Sequence, residues 1–157
     1  MGVSVSHFAS HLLRVIALFV LFVCPALAEA QDWTVTRATK QVGYTVDKKT
    51  WHTVKAGSII PNQAWISTGP RGRVTLARGE ERISLSPNTL GAVITTQGLF
   101  SRKTVVVQQI GQISLDIEKR SKPHTYVHTP FLAAVVEGTS FTVAVTEEDA
   151  SLSVQEG

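Results

Sequence analysis

The chain has 157 residues, 43% of them hydrophobic and 17% charged, with a formal net charge of +3. That length supports one domain around one core. The charge is mild, and apart from Arg14 the Lys and Arg residues are spread from Arg37 to Lys122 with acids among them. This reads as a solvated surface, not the concentrated basic face of a nucleic-acid binder. The one cysteine, Cys24, lies in a segment expected to be removed. Disulfide and thiol chemistry are then not expected of the rest, although an oxidising compartment would permit disulfides.

The first predicted element is a leader. Met1 to Arg14 carries one Arg and no acid, and Val15 to Ala28 (VIALFVLFVCPALA) is uncharged. That run is shorter than the roughly 20 apolar residues a membrane-crossing helix needs. It fits the apolar core of a signal peptide. Small residues then stand at the spacing a leader peptidase reads, Ala26-Leu27-Ala28 and Ala28-Glu29-Ala30. Cleavage is expected after Ala28 or Ala30, which makes residues 1–30 a signal peptide. The competing reading is a retained anchor helix. Val23 before Cys24 is not the small residue a lipoprotein site wants, so lipid anchoring is not expected. Arg14 and Glu29 leave with the leader, so the net charge does not change.

From Gln31 onward the period is two. Arg73 to Ala77 alternates, and so does Arg82 to Ser86. Ile113, Leu115 and Ile117 fall on one face, as do Phe141, Val143 and Val145, and then Leu152 and Val154. Residues two apart project from the same side of a strand, so each segment reads as a strand with one apolar face. Turn residues separate the runs: Gly57, Pro61-Asn62, Gly69-Pro70, Gly79, Pro87-Asn88, Gly98, Gly111, Pro123, Pro130 and Gly138. Short strands at such spacing predict a sandwich, a barrel or a coiled solenoid. Leu132 to Val136 (LAAVV) is too short for a helix between Pro130 and Gly138 and is predicted to be a buried strand. Glu147-Glu148-Asp149 fits a turn, and no linker divides residues 31–157. The chain stops at Gly157, directly after the strand-like Ser151 to Gln155. One more strand could come next, so the sequence reads as a short form or a truncated one.

One segment has a recognisable form. Thr129-Pro130 is followed by an apolar run and then by Val136-Glu137-Gly138-Thr139-Ser140-Phe141-Thr142-Val143, that is, Val-x-Gly-Thr-x-Phe-x-Val. Ile66-Ser67-Thr68-Gly69, Val74-Thr75-Leu76, Ser86-Pro87-Asn88-Thr89, Gln109-Ile110-Gly111-Gln112-Ile113 and Leu152 to Gly157 accompany it in order. Together, over residues 57–157, they resemble the periplasmic FecR domain, the sensing half of iron-transport regulators. The motif has a physical reading too. Pro130 fixes φ and keeps Thr129 out of a helix. Gly138 can take a positive φ, Thr139 can bond the local backbone, and Phe141 enters the core.

The resemblance implies an all-β single domain of short strands, β-solenoid-like or jelly-roll-like, over residues 31–157. It implies a non-catalytic interaction module, periplasmic or secreted, of a Gram-negative bacterium. The partner would be a periplasmic or outer-membrane protein, or an envelope glycan, in cell-envelope signalling or assembly. The membrane is met only in transit during export. Regulators of the family carry a cytoplasmic anti-sigma segment, a transmembrane helix and then this domain. Here only residues 1–14 precede an apolar run that looks cleaved. The alternatives are a glycan- or peptidoglycan-binding protein, a sensor of sigma-factor regulation acting through a separate membrane partner, and a structural piece of a larger secreted complex.

No catalytic residue, metal site or cofactor is expected. G-x-S-x-G, H-E-x-x-H and a Walker loop are all missing. His52, His124 and His128 are expected to be exposed or at an edge. Glu80-Glu81 and Asp116-x-Glu118 are close carboxylate pairs, and Asp116 and Glu118, on the polar face of a strand, are read as solvated. The tryptophans Trp33, Trp51 and Trp65 are favoured as core, because aromatics bury large areas, over stacking on sugar rings. Arg71, Arg73, Arg78 and Arg82 are read as a row facing solvent, guarding a strand edge, with an acidic partner or anionic glycan as the competing reading. The binding candidates are Trp33, Trp51, Trp65, Arg71 and Arg73.

Overall fold

The computed structural model describes residues 32–98, 101–136 and 139–155. The leader, its expected cleavage points Ala28 and Ala30, and Gly138 lie outside the described residues. The strands are β1 (Trp33–Ala38), β2 (Val42–Thr45), β3 (His52–Thr53), β4 (Ile59–Ile60), β5 (Trp65–Thr68), β6 (Val74–Arg78), β7 (Glu81–Leu85), β8 (Leu90–Gln97), β9 (Arg102–Ile117), β10 (Thr125–His128), β11 (Ala133–Val136), β12 (Thr139–Val145) and β13 (Ala150–Gln155). The all-β expectation holds: among the described residues there is no helix.

The strands form one curled, mostly antiparallel sheet organised around β9. The first half of β9 pairs with β8 antiparallel and β10 parallel. Its second half pairs with β7 and β12, both antiparallel. One half of the sheet therefore runs β3-β2-β5-β8-β9-β10-β11 and the other β4-β1-β6-β7-β9-β12-β13. The bend falls at Gly111, whose φ is 92°. A Cβ there would strike Thr89 and Asn88, so only glycine fits. The sequence reading makes Gly111 a turn between strands. In the structure it kinks a continuous strand of 16 residues. Beside it the register slips, with Leu90 opposite Ile110 but Gly91 opposite Gln108. Gln109 is thus the extra residue of a bulge, the device that bends strands.

The period-two pattern sets the core. Val74, Leu76, Ile83, Leu85, Ile113, Leu115, Ile117, Phe141, Val143 and Val145 all point inward. They meet Val42, Ile66, Val93, Val106 and Val127 from the other half in a single cluster. Fully burying one such aliphatic side chain contributes about 1.5–3 kcal/mol. The Thr-Pro segment also behaves as read. The Thr129 hydroxyl accepts from the amides of Phe131 and Leu132 at 3.2 and 2.9 Å, closing a turn that Pro130 opens. Phe141 and Val143 sit in the core, on the strand that Thr139 begins. Glu147 to Asp149 form the expected turn, with the Thr146 amide donating to the Asp149 carbonyl at 2.9 Å.

Two strands depart from expectation. The sequence predicts a buried strand at Leu132 to Val136, but among the described residues β11 pairs only with β10 and leaves Val135 60% exposed. Among the described residues β13 pairs only with β12, and its apolar face, Leu152 and Val154, is open. Alternation describes the faces of a strand but not whether another layer covers them.

Candidate functional site

The first candidate lies at the β6–β7 hairpin. Val74 and Leu76 point inward, so the strand period carries Arg78 inward as well. Glu81 shares the phase of Ile83 and Leu85. Gly79, at φ 59°, helps close the turn between them. The Arg78 Nη2 donates to Glu81 Oε2 at 2.8 Å, and both side chains are buried. Arg78 also donates to the hydroxyls of Thr95 on β8 and Thr104 on β9. Its guanidinium lies over the Trp33 ring, 4.2 Å from the centroid. One side chain thus ties β1, β6 and β7 to the opposite half of the sheet.

More polar side chains surround this pair. Arg102 and Arg120 each approach Glu81 to 3.6 Å, and His124 Nε2 stands 3.3 Å from Oε1. Among the described residues Glu81 Oε1 has no hydrogen bond, so Arg120 and His124 stand near it without hydrogen-bond geometry. Burial pushes the Glu81 carboxyl up, but the Arg78 hydrogen bond and charge, aided by Arg102 and Arg120, hold it below the usual range. Burial also lowers Arg78. A carboxylate held ionised this way is poorly matched to general acid–base work, which needs a pKa near the operating pH. The cluster opens on a cleft of about 820 Å³ lined by Asp32, Glu80, Glu118 and Arg120 among others.

Two expectations fail here: Arg78 is not in the solvent-facing row, and His124 is neither exposed nor at an edge. The burial of Glu81 is not read from the sequence. The signal was available for Arg78 and Glu81, because each is in phase with core residues. His124 carried none, since it precedes β10 in a loop. His52, His128, Asp116 and Glu118 are exposed as expected. Arg71, Arg73 and Arg82 do face solvent. The amides of Arg71 and Arg73 are held by Gln41 Oε1 and the Thr39 hydroxyl, at 3.1 and 2.7 Å.

The second candidate is on the outer face of β2, β5 and β8. Trp33 is core, as expected, but Trp51 is 48% exposed. Trp65 is only half-buried, because its neighbour Ile66 takes the inward position. Lys48 Nζ sits 4.8 Å from the Trp65 ring centroid. Both tryptophans line a hollow of about 360 Å³ with Thr45, Lys48, Leu90 and Gln109. Asp47 shapes this edge: it accepts from the amides of Lys49 and Thr50, both at 2.8 Å, and from the Thr45 hydroxyl at 2.9 Å. The bonds from Thr50, Lys49 and Thr45 hold its carboxyl far below the usual carboxylate range. The structure does not bring Arg71 or Arg73 to this hollow, and Arg73 lines a separate groove with Asn88 and Gly111.

Fold and sites together define an all-β scaffold. Its buried charges tie the body together, and its open edges and exposed aromatic face outward. Residues 64–157 match the family model described as FecR protein, and the chain belongs to that family. The match begins within the span of the sequence resemblance and runs to the same end. The family is one of envelope-associated components of sigma-factor signalling. No curated protein and no solved structure matches the chain.

Proposed function

We propose that this protein is a non-catalytic interaction module of the periplasm, exported by a cleaved leader, that contacts an envelope protein in signalling or assembly. Family membership supports the signalling class. The observation that carries the reading is the pair of open edges. Among the described residues β11 and β13 each pair on one side only and expose Val135, Leu152 and Val154. An unpaired strand edge is a template for a partner's strand. The coiled or jelly-roll-like character of the body belongs to the same reading. The family match also favours a more specific role, as a sensor that reaches a sigma factor through a separate membrane protein.

Photo-crosslinking in a Gram-negative host tests this, with a reactive phenylalanine analogue at Val135 or at Val154. The expected result is one cross-linked envelope protein, identified by mass spectrometry, from at least one of the two positions. Crosslinks no richer than those from exposed Lys40 would sink the proposal. Loss of a sigma-dependent reporter on deletion of that partner would support the more specific role.

A further inference from the structure

The geometry points to the hollow at Trp51 and Trp65 as a saccharide subsite that takes a pyranose ring, neutral or acidic, of an envelope glycan. The site is independent of the strand edges and goes beyond the protein-contact reading.

Four observations carry it. First, Trp51 leaves much of a large indole in water at the rim of a concavity, which is unusual for a side chain that buries well elsewhere. Second, the indole is presented rigidly. Asp47 ties up the amides of Lys49 and Thr50, immediately before Trp51, and Lys48 takes a φ of 60°. On the other side Tyr44 and His52 rings pack at 5.2 Å. A preorganised aromatic needs little ordering on binding. Third, Gln109 is the bulge residue of β9 and lines the same hollow. Bulges re-aim side chains beside sites, and an amide both donates and accepts. Fourth, the chemistry is mixed. Trp51, Trp65 and Leu90 supply apolar surface, while Gln109 and the Lys48 ammonium supply polar partners.

A sugar ring matches that set, with its C–H face on the indole and its hydroxyls toward the amide. The Lys48 ammonium already lies over Trp65 and repels a cationic ligand. The volume is near the lower end of ordinary ligand pockets, about 300–1,000 Å³, and suits one or two rings.

Tryptophan fluorescence of the purified protein tests the subsite, with chitotetraose as the neutral probe and tetragalacturonate as the acidic one. Wild type should show a saturable change with at least one probe. Response to chitotetraose points to N-acetylated wall glycan, and response to tetragalacturonate to an acidic exopolysaccharide. Trp51→Ala should abolish the response, and Gln109→Ala should weaken binding about 2- to 10-fold. Trp33→Phe should retain it, because that ring lies in the core. Trp51 is exposed, so its alanine variant should keep the far-ultraviolet circular dichroism of wild type. No saturable change with either probe, or a change that survives Trp51→Ala, overturns the inference. Crosslinking from Val135 and Val154 in the Trp51→Ala protein keeps the two readings apart.

Discussion

Arg78 and Glu81 meet across the β6–β7 turn with Nη2 2.8 Å from Oε2, and their side chains are 3% and 2% exposed. The pair also reaches the opposite half of the sheet through Thr95 and Thr104, and the Arg78 guanidinium lies over the Trp33 ring of β1 in its own half. The pair's mutual attraction matters less than the cost of leaving either partner buried alone.

Glu81→Leu should therefore be strongly destabilising, by about 3–5 kcal/mol, because it leaves the Arg78 guanidinium buried without its carboxylate. Adding Arg78→Met should recover most of that loss, since an apolar pair can replace a buried ion pair with little change in stability. Urea unfolding of both variants checks this. A double variant no more stable than Glu81→Leu alone would contradict it.

The same carboxylate sets an acid limit. Its folded pKa is lowered, so its contribution is present above the unfolded value, about 4.3. It is lost as pH falls from there through the lower folded value. Stability should therefore decline below about pH 5. Glu81→Gln should be less stable at neutral pH and should show a shallower acid limb. Unfolding midpoints at pH 3 to 7 give the comparison, and parallel curves would count against it.

Gly111→Ala should cost at least about 2 kcal/mol, combining a left-handed φ with overpacking. The added methyl has nowhere to go, because Thr89 and Asn88 close the corner. Gly57→Ala is the control. It also has a positive φ, 85°, but open space around it. Chemical denaturation should find the Gly111 variant clearly worse.

The tryptophans should separate by stability. Trp33→Ala opens the core beneath Arg78 and should cost about 3–5 kcal/mol. Trp51→Ala should change stability by no more than about 0.5 kcal/mol, as for most surface substitutions. Thermal unfolding of the two variants side by side checks the contrast.

Much of this fold is legible in the residues. Alternation places Val74, Leu76, Ile83, Leu85 and the Phe141 face inward, and the Thr129 to Val143 motif names the family. The failures have physical causes. Charge alone assigns Arg78 to solvent, although its phase, like that of Glu81, says otherwise; phase decides where a side chain points, and the partner opposite lets the charge stay. Apolar neighbours assign Trp65 to the core, but adjacent residues on a strand face opposite ways. The exposure of β11 and β13 depends on which strands pair across the chain, which no local pattern encodes. The Trp51 hollow joins the β2–β3 connection to a β9 bulge far away in sequence. Its contributing segments can be read one at a time, but their meeting cannot.

The bend at Gly111 has a consequence for how the chain folds. Because β9 belongs to both halves of the sheet, neither half can complete its hydrogen bonding alone. The protein should lose structure in one cooperative step, with the same midpoint by near- and far-ultraviolet circular dichroism. Closure must also wait for distant pairings, such as β1 with β6 and β7 with β9. Acquisition of the native state should accordingly be slow for a chain of this size, in milliseconds to seconds.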